Sequence, residues 1–363
     1  MRRKGLLLFG GGLESKKVAL PSQDGHNWMK MMAPPSKPSD GPTTLADVAR
    51  AAKVGESTAS RVLRNQGSFS EDVRTRVLSA ASKLNYVPNR IAGTLASTGS
   101  HLVGIIIPAV TTTFFPDLLL GANSVLEGAG FQSVISVTEY DAAREEKLVE
   151  SLLSWRPAGI LVTGLEHTDR TRSMLRASRT RVVELGDIDG EGIDIVVGFS
   201  NRAAGYAAGQ YLVKRNFRRI GYVGNQSTRA GKRYQGFKGA LADAGMTLAA
   251  EQITPGLASI KAGRDGLMRL LNREAQLDVV YFANDDMAIG GYFHCLSKGI
   301  AVPEQLAILG HNGSDEGQLM PHPLSTVRAP RLAVGQVGAK LLLSGGPAQV
   351  IDLGFELCEG MTT

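Results

Sequence analysis

Residues 43–97 read TTLADVARAAKVGESTASRVLRNQGSFSEDVRTRVLSAASKLNYVPNRIAGTLAS, a stretch whose spacings spell three short helices. Thr44 stands three residues before Asp47, a variant of the capping box in which a hydroxyl covers an early backbone N–H and the acid reaches back to the cap. Behind it Leu45, Val48, Ala49 and Ala52 fall on one face. Lys53-Val54-Gly55 breaks the helix, and a second starts at Glu56 with Ala59, Val62 and Leu63 as its apolar side. The small Ala49 and Ala59 allow two short helices to cross closely. The other side of the second helix offers Glu56, Ser57, Thr58, Ser60 and Arg61, short hydrogen-bonding groups with one guanidinium. Ser70 can cap a third helix over 71–84, where Val73, Val77, Ala80, Ala81 and Leu84 keep core spacing. The pattern fits a plain three-helix bundle and a helix-turn-helix that lays its second helix in the major groove of DNA; spacing alone leaves both open.

Charge is unevenly placed around this stretch. Residues 1–100 hold 15 Lys and Arg against 7 Asp and Glu, and the remainder 25 against 27. A basic segment beside a nearly neutral body suits a grip on phosphate, and equally a solvated basic tail. Residues 1–42, with Met29, Met31 and Met32 followed by APPSKPSDGP, carry no apolar period and are expected to be a disordered extension. A start at Met31 or Met32 is one account of them and a basic arm another. The opening MRRKGLLLFGGG has four apolar residues in a row, short of the roughly 7–15 of a secretory signal. No apolar run nears the ~20 residues that span a bilayer, so a cytoplasmic protein associated with the nucleoid, and no membrane partner, are expected. Cys295 and Cys358 form no CxxC and read as two reduced thiols.

From Leu102 the text changes. Val- and Ile-rich runs alternate with helical stretches: VGIIIP, FFPDLLLGANSVLEGAG, SVISV, AAREEKLVESLLSW and GILVTG. This is the pattern of βαβ units on a parallel sheet. It restarts after 193–199, with a helix over 202–214, RIGYVG, a helix over 233–244, DVVYFAND, a helix over 287–298 and LAILGHN. Two Rossmann-like subdomains of about five strands each are expected, with crossovers near 194–197 and 324–328. The helix over 331–343 and the strand VIDLGF are left to return to the first subdomain. A ligand would lie in the cleft at the carboxyl ends of the strands. The residues placed to line it are Thr111–Phe115, including Phe114 and Phe115, then Glu166, His167, Asp187 and Phe199 in the first half. Arg233, Asn284, Asp285, His311 and Asn312 join them from the second. Aromatic walls, a forked Arg and a carboxylate suit a polyhydroxylated ligand, whose hydroxyls both donate and accept.

Catalytic signatures are missing. There is no GxGxxG after the first strand, no P-loop, no GxSxG and no metal-ligand spacing, so neither enzyme activity nor a cofactor is expected. Asp285 and Asp286 are adjacent at a helix start and point apart, which argues against a catalytic dyad. A metabolite receptor with no DNA function fits residues 102–363 taken by themselves.

The core Thr58-Ala59-Ser60-Arg61-Val62-Leu63 resembles the T-V/A-S-R-V-L recognition core of the lactose-repressor (LacI/GalR) family, and Leu84 to Leu95 resembles its L-x-Y-x-P-N-x-x-A-x-x-L element. The likeness implies a DNA-binding, ligand-controlled transcription regulator, and it decides between the bundle and the DNA reader. It implies a helix-turn-helix domain over 43–88, a hinge helix and linker over 89–101, and an effector-binding and dimerisation domain over 102–363 with the periplasmic-binding-protein (type I) fold. Glu56 and Ser57 take the family's base-choosing positions. Thr44, Thr58, Ser60, Arg61 and Ser70 join them at the DNA, and Asn89, Arg90, Ala92 and Leu95 form the hinge that enters the minor groove, Leu95 as the apolar wedge. Two positions depart from the family: Lys53 stands where a turn glycine is common, and Gly55 where a Ser or Thr cap is common.

The likeness continues downstream. Arg233-x-x-Gly236-Phe237-x-x-Ala240-Leu241 resembles the family's effector arginine motif, Asn284-Asp285-x-Met287-Ala288 its effector aspartate motif, and Leu324-Ser325-Thr326-Val327 its crossover. Within the family, LVESLLSWRPAGILVTGLEHT, VVELGDIDGEGIDIVVGFSN and especially LGHNGSDEGQLMPHPLSTV are similar to gluconate-utilisation repressors. A sugar acid, gluconate or a phospho or keto derivative, is therefore the expected effector. Without a trailing Leu heptad, a homodimer on a palindromic DNA operator is expected.

Overall fold

Three helices, α1 (Leu45–Ala52), α2 (Glu56–Leu63) and α3 (Glu71–Lys83), follow the capping signals and apolar spacings of the N-terminal sequence. The computed structural model describes residues 43–88, 100–274 and 276–363, in two compact units, one within Met1–Arg90 and one within Ile91–Thr363. The expectations for 1–42 and for the hinge residues Asn89, Arg90, Ala92 and Leu95 lie outside the described residues. In the first unit Val48, Ala49, Ala52, Ala59, Val62, Val77, Ala80 and Ala81 form the core. The capping box is made: Thr44 N–H donates to Asp47 Oδ2 at 3.0 Å, and Asp47 N–H to Thr44 Oγ1 at 3.3 Å. Arg76 Nη1 donates to the Ala52 carbonyl at 2.7 Å and ties α3 to the last turn of α1. Lys53 has φ +54°, which is why glycine is at home there, and Gly55 caps α2 with no side-chain bond.

The second unit holds two six-stranded sheets. The first takes β1 (Leu102–Ile107), β2 (Gln132–Val137), β3 (Gly159–Thr163), β4 (Arg181–Leu185), β5 (Ile195–Gly198) and β11 (Gln349–Asp352), in the order β11-β5-β4-β3-β1-β2, all parallel. The second takes β6 (Ile220–Asn225), β7 (Ala250–Thr254), β8 (Val279–Phe282), β9 (Ala307–Asn312), β10 (Ser325–Arg328) and β12 (Glu356–Cys358), in the order β12-β10-β9-β8-β6-β7, with β12 alone antiparallel. Strands such as LVGIII are buried on both faces because helices cover both, hence their unbroken apolar runs. Those helices are α4 (Phe114–Gly128), α5 (Ala142–Ser154), α6 (Asp169–Ser178), α7 (Asn201–Lys214), α8 (Thr228–Asp243), α9 (Ile260–Arg273), α10 (Asp285–Lys298), α11 (Asp315–Gln318) and α12 (Arg331–Ser344).

The chain crosses between the halves three times. It leaves the first sheet after β5 for α7, which packs on α8, and leaves the second after β10 for α12, which packs on α4. It returns to the second sheet between β11 and β12. The first two crossings fall where the sequence placed them; the third, made by Leu353–Phe355, was not foreseen. Nor were α6, β7 and α9, which the sequence reading left without an element. The α8 helix starts at Thr228, five residues before the expected Arg233, because Ser227 caps it while its first turns, Thr-Arg-Ala-Gly-Lys, show no apolar period. Three helix pairs cross through glycine. A Cβ on Gly335 would strike the Leu118 carbonyl, one on Gly236 the Arg202 carbonyl, and one on Gly290 the Ile260 carbonyl. Among the described residues no helix is long and apolar enough to cross a membrane.

Candidate functional site

On α2 the side chains of Glu56, Ser57 and Arg61 are exposed and those of Thr58 and Ser60 half-buried, opposite the buried Ala59 and Val62. One face is thus fixed to the core, and the other is free for base edges and phosphates. Arg61 lies over the Phe69 ring at 5.3 Å, and Arg64, which the sequence reading passed over, donates from Nη2 to Ser60 Oγ at 2.7 Å. Thr44 and Ser70 cap α1 and α3, Ser70 Oγ accepting from Val73 N–H at 3.4 Å, so both sit at helix N-termini, where backbone N–H groups favour phosphate.

In the second unit a cavity of about 120 Å³ opens at the carboxyl ends of β1, β2 and β3. Its wall includes Thr138 and Tyr140 after β2, Glu145 in the first turn of α5, Glu166 after β3, and Thr228 and Arg229 in the first turn of α8. Of the cleft residues named from sequence, Glu166 lines it. The others are not part of its wall. His167 Nδ1 lies 2.7 Å from Glu145 Oε1, and its Nε2 faces Glu184 Oε1 at 3.4 Å. Burial pushes the imidazole pKa down, but the two carboxylates outweigh it and lift the value to about 9, so His167 is a cation that holds Glu145 in place. Asp187 is fully buried and accepts from Lys232 Nζ, which also meets Glu166 Oε1 at 2.5 Å. Phe114 and Phe115 meet edge-on at 5.5 Å, with Phe199 6.5 Å from Phe114. Both neighbouring rings carry the Arg229 guanidinium, 4.7 Å from Phe114 and 4.9 Å from Phe115.

Arg233 is buried on α8. Its Nη1 donates to Asn201 Oδ1 at 2.8 Å, and Asn201 Nδ2 donates in turn to Asp187 Oδ1 at 3.1 Å. Its Nε has no hydrogen-bond partner among the described residues. His311 sits close by, its Nδ1 2.9 Å from the Tyr281 hydroxyl and its Nε2 also without a partner. Burial and the Arg233 charge hold the His311 pKa well below the usual range, so the ring is neutral. The Tyr222 hydroxyl is a third buried polar atom without a partner. A closed-packed interior seldom leaves such atoms unmet, and three in one region mark a place prepared for something polar.

Asp285 is met by donors of its own half. Its Oδ1 accepts from the Thr326 hydroxyl at 2.7 Å and its Oδ2 from Ser314 N–H at 2.5 Å. The carboxylate is turned to the crossover strand β10, because burial drives its pKa up and interior donors must answer it. Its neighbour Asp286 points the other way, accepting across the cleft from Thr113 N–H at 3.4 Å, and burial lifts its pKa to about 6. The two acids do point apart. Arg331 also bridges the halves, donating from Nε to Asp117 at 2.8 Å and from Nη1 to the Asn312 carbonyl at 2.9 Å. Arg229, Lys232 and Asp286 are what sequence reasoning missed. The signal for the first two was on the page: three cations in Thr-Arg-Ala-Gly-Lys-Arg with no acid in the first turn of α8.

Both the three-helix unit and the unit of two Rossmann-like halves match known proteins. Residues 44–89 match the family described as bacterial regulatory proteins, lacI family, and residues 100–344 match periplasmic binding proteins and sugar binding domain of LacI family. The chain belongs to the LacI family. Its sequence is 38% identical over 325 residues to the HTH-type transcriptional regulator GntR of Pseudomonas aeruginosa, covering 87% of this chain and 94% of that one. It is 34% identical over 323 residues to the regulator GntR of Escherichia coli, covering 87% and 97%. Its fold superposes with TM-score 0.83 on a crystal structure of a LacI-family transcriptional regulator from Silicibacter pomeroyi, 39% identical, covering 88% of this chain and 99% of that one. This LacI-family chain is therefore a DNA-binding transcriptional regulator and not an enzyme.

Proposed function

We propose that the protein is an operator-binding repressor whose cleft takes a sugar acid, gluconate or a phospho or keto derivative. The observation that carries this reading is the pair of buried, partnerless nitrogens, Arg233 Nε on α8 and His311 Nε2 near the carboxyl end of β9. A guanidinium and a neutral imidazole left with donor capacity suit an anionic, hydroxyl-rich molecule. The likeness of this chain to gluconate-utilisation repressors supports the same class. The working form is a cytoplasmic homodimer on a palindromic operator, with Glu56, Ser57, Thr58, Ser60 and Arg61 at the bases, Thr44 and Ser70 at phosphates, and Asn89, Arg90, Ala92 and Leu95 in the hinge. Phe114, Phe115, Phe199, Arg233 and His311 surround the effector together with His167, Asp187 and Asp285, Asp187 also holding Arg233 through Asn201. Ligand closure of the two halves resets the hinge. A coupling of about 1–3 kcal/mol changes operator affinity about 5–150-fold.

Isothermal titration against gluconate, 6-phosphogluconate and 2-ketogluconate, with wild type and Arg233→Ala, tests the effector. Saturable heat with one acid, lost in the variant, is the expected result. An unchanged titration in Arg233→Ala would remove that arginine from the site, and silence with all three acids would send the search outside sugar acids.

A further inference from the structure

Arg229 has no place in the scheme above, yet it is the cavity's only lining cation. Its guanidinium lies over Phe114 and Phe115, which belong to the first turn of α4 in the opposite half. It thus spans the two subdomains from the first turn of α8. Its Nη1 is buried and has no hydrogen-bond partner, and among the described residues it makes no ion pair. Gly186, at φ +88°, lets it in: a Cβ there would stand 3.1 Å from both Arg229 Nη1 and Phe114 Cζ.

The charges nearby are arranged in a telling way. Two of the three cavity acids have cations of their own, Glu166 with Lys232 at 2.5 Å and Glu145 with the charged His167 at 2.7 Å. The third, Asp141, is taken up as the cap of α5, accepting from Ala143 N–H at 2.8 Å and Arg144 N–H at 3.2 Å. The two guanidiniums, Arg229 and Arg233, lie one turn apart on α8, and neither meets a carboxylate. Each raises the cost of charging the other, and the Arg229 charge helps push the Arg233 pKa below its usual value, after burial itself. Arg229 also sits in the first turn of α8, which holds no acid, where the helix dipole disfavours a cation. Three unfavourable terms are removed together if an oxyanion sits between the guanidiniums, in reach of the α8 N-terminus. Aromatic stacking fixes the face of Arg229 and leaves its N–H edge for two oxygens, the geometry carboxylate and phosphate share.

We infer that Arg229 reads the acid group of the effector and sets the preference for an acid over the neutral polyol of the same shape. This rests on the sugar-acid reading and adds the residue that enforces it. Arg233, held by Asn201, serves the ligand as a whole; Arg229, held only by rings, serves the charge.

The test compares wild type, Arg229→Gln and Arg229→Lys by titration with gluconate, 6-phosphogluconate, and the neutral glucitol and gluconamide, each protein first checked for an unchanged melting profile. Arg229→Gln should weaken the binding acid by about ten- to a hundredfold, as loss of a charge-assisted bond does, and the neutral analogues less than about twofold. Arg229→Lys should restore part of the loss, since it keeps the charge without the fork. Preference for 6-phosphogluconate that disappears in Arg229→Gln would assign the phosphate end to it; preference for gluconate, the carboxylate. An acid that binds Arg229→Gln as tightly as wild type would overturn the inference and leave the sugar-acid reading standing, as would equal losses for acids and neutral analogues. If no sugar acid binds wild type, that reading falls, and inorganic phosphate decides the inference alone: thermal protection of wild type absent from Arg229→Gln upholds it, and equal or no protection of the two refutes it.

Discussion

A histidine set between Glu145 and Glu184 makes the molecule's stability depend on pH in a defined window. The folded pKa of His167, about 9, stands above the 6.5 of an ordinary imidazole. Its proton therefore stabilises the fold fully below pH 6.5, and that contribution is lost as pH rises through about 9. The size is of order 1.4 kcal/mol for each pKa unit. The melting temperature of the isolated protein should fall between these limits, and His167→Gln should flatten that slope while lowering the plateau below it. A slope identical in the variant would detach the pH dependence from His167. Sequence alone named His167 and Asp187 but assigned both to the ligand. Their partners come from elements tens of residues away, Glu145 on α5 and Lys232 on α8, and no local period announces such pairs. The hydroxyl that meets Asp285, on Thr326, was out of local reach for the same reason, 41 residues on.

At the scale of elements, the helix starts and apolar periods of the first unit were legible almost to the residue, because capping chemistry is local. Thr44 with Asp47, and Ser70, act within three positions of the backbone they serve. The elements missed were those whose burial is decided from outside. Strand β7 reads AEQIT, with Ala250, Glu251 and Ile253 not buried, and it owes its place to pairing with β6 at the sheet edge. The Lys53 turn gives a measurable consequence. At φ +54° a lysine is disfavoured where glycine is not, so Lys53→Gly should stabilise the helical unit by about 0.5–1 kcal/mol, partly offset by glycine's greater freedom when unfolded. Chemical denaturation followed by helical circular dichroism on residues 43–88 measures it. A lower midpoint in the variant would show that the lysine side chain contributes more than its backbone costs.

On the scale of the molecule, the two-sheet architecture and two of the three crossings were legible, since alternating βα text and its restart after 193–199 state them. The cavity's lining was not, because it comes from three loops, after β1, β2 and β3, and two helix starts, of α5 and α8, that only the folded chain assembles. The proposed wedge gives a separable prediction. Leu95→Ala should weaken binding to the specific operator by at least about tenfold, the scale of a lost apolar wedge between base steps, and leave effector titration unchanged; gel-shift and calorimetry on one preparation measure both. Equal loss of the two would sink the hinge assignment.

The threading of the chain also bears on how the protein is made. The first sheet is closed at its edge by β11, and its helix α4 is covered by α12, both drawn from residues after 330. A nascent chain leaving the ribosome with five of those six strands already out still lacks the cover for α4, where Gly121 waits for the Leu332 backbone. The amino-terminal half of the cleft cannot mature until the carboxyl-terminal half has been synthesised. The two halves are therefore one folding unit, and a messenger cut short within its last tenth should yield protein that neither half can rescue.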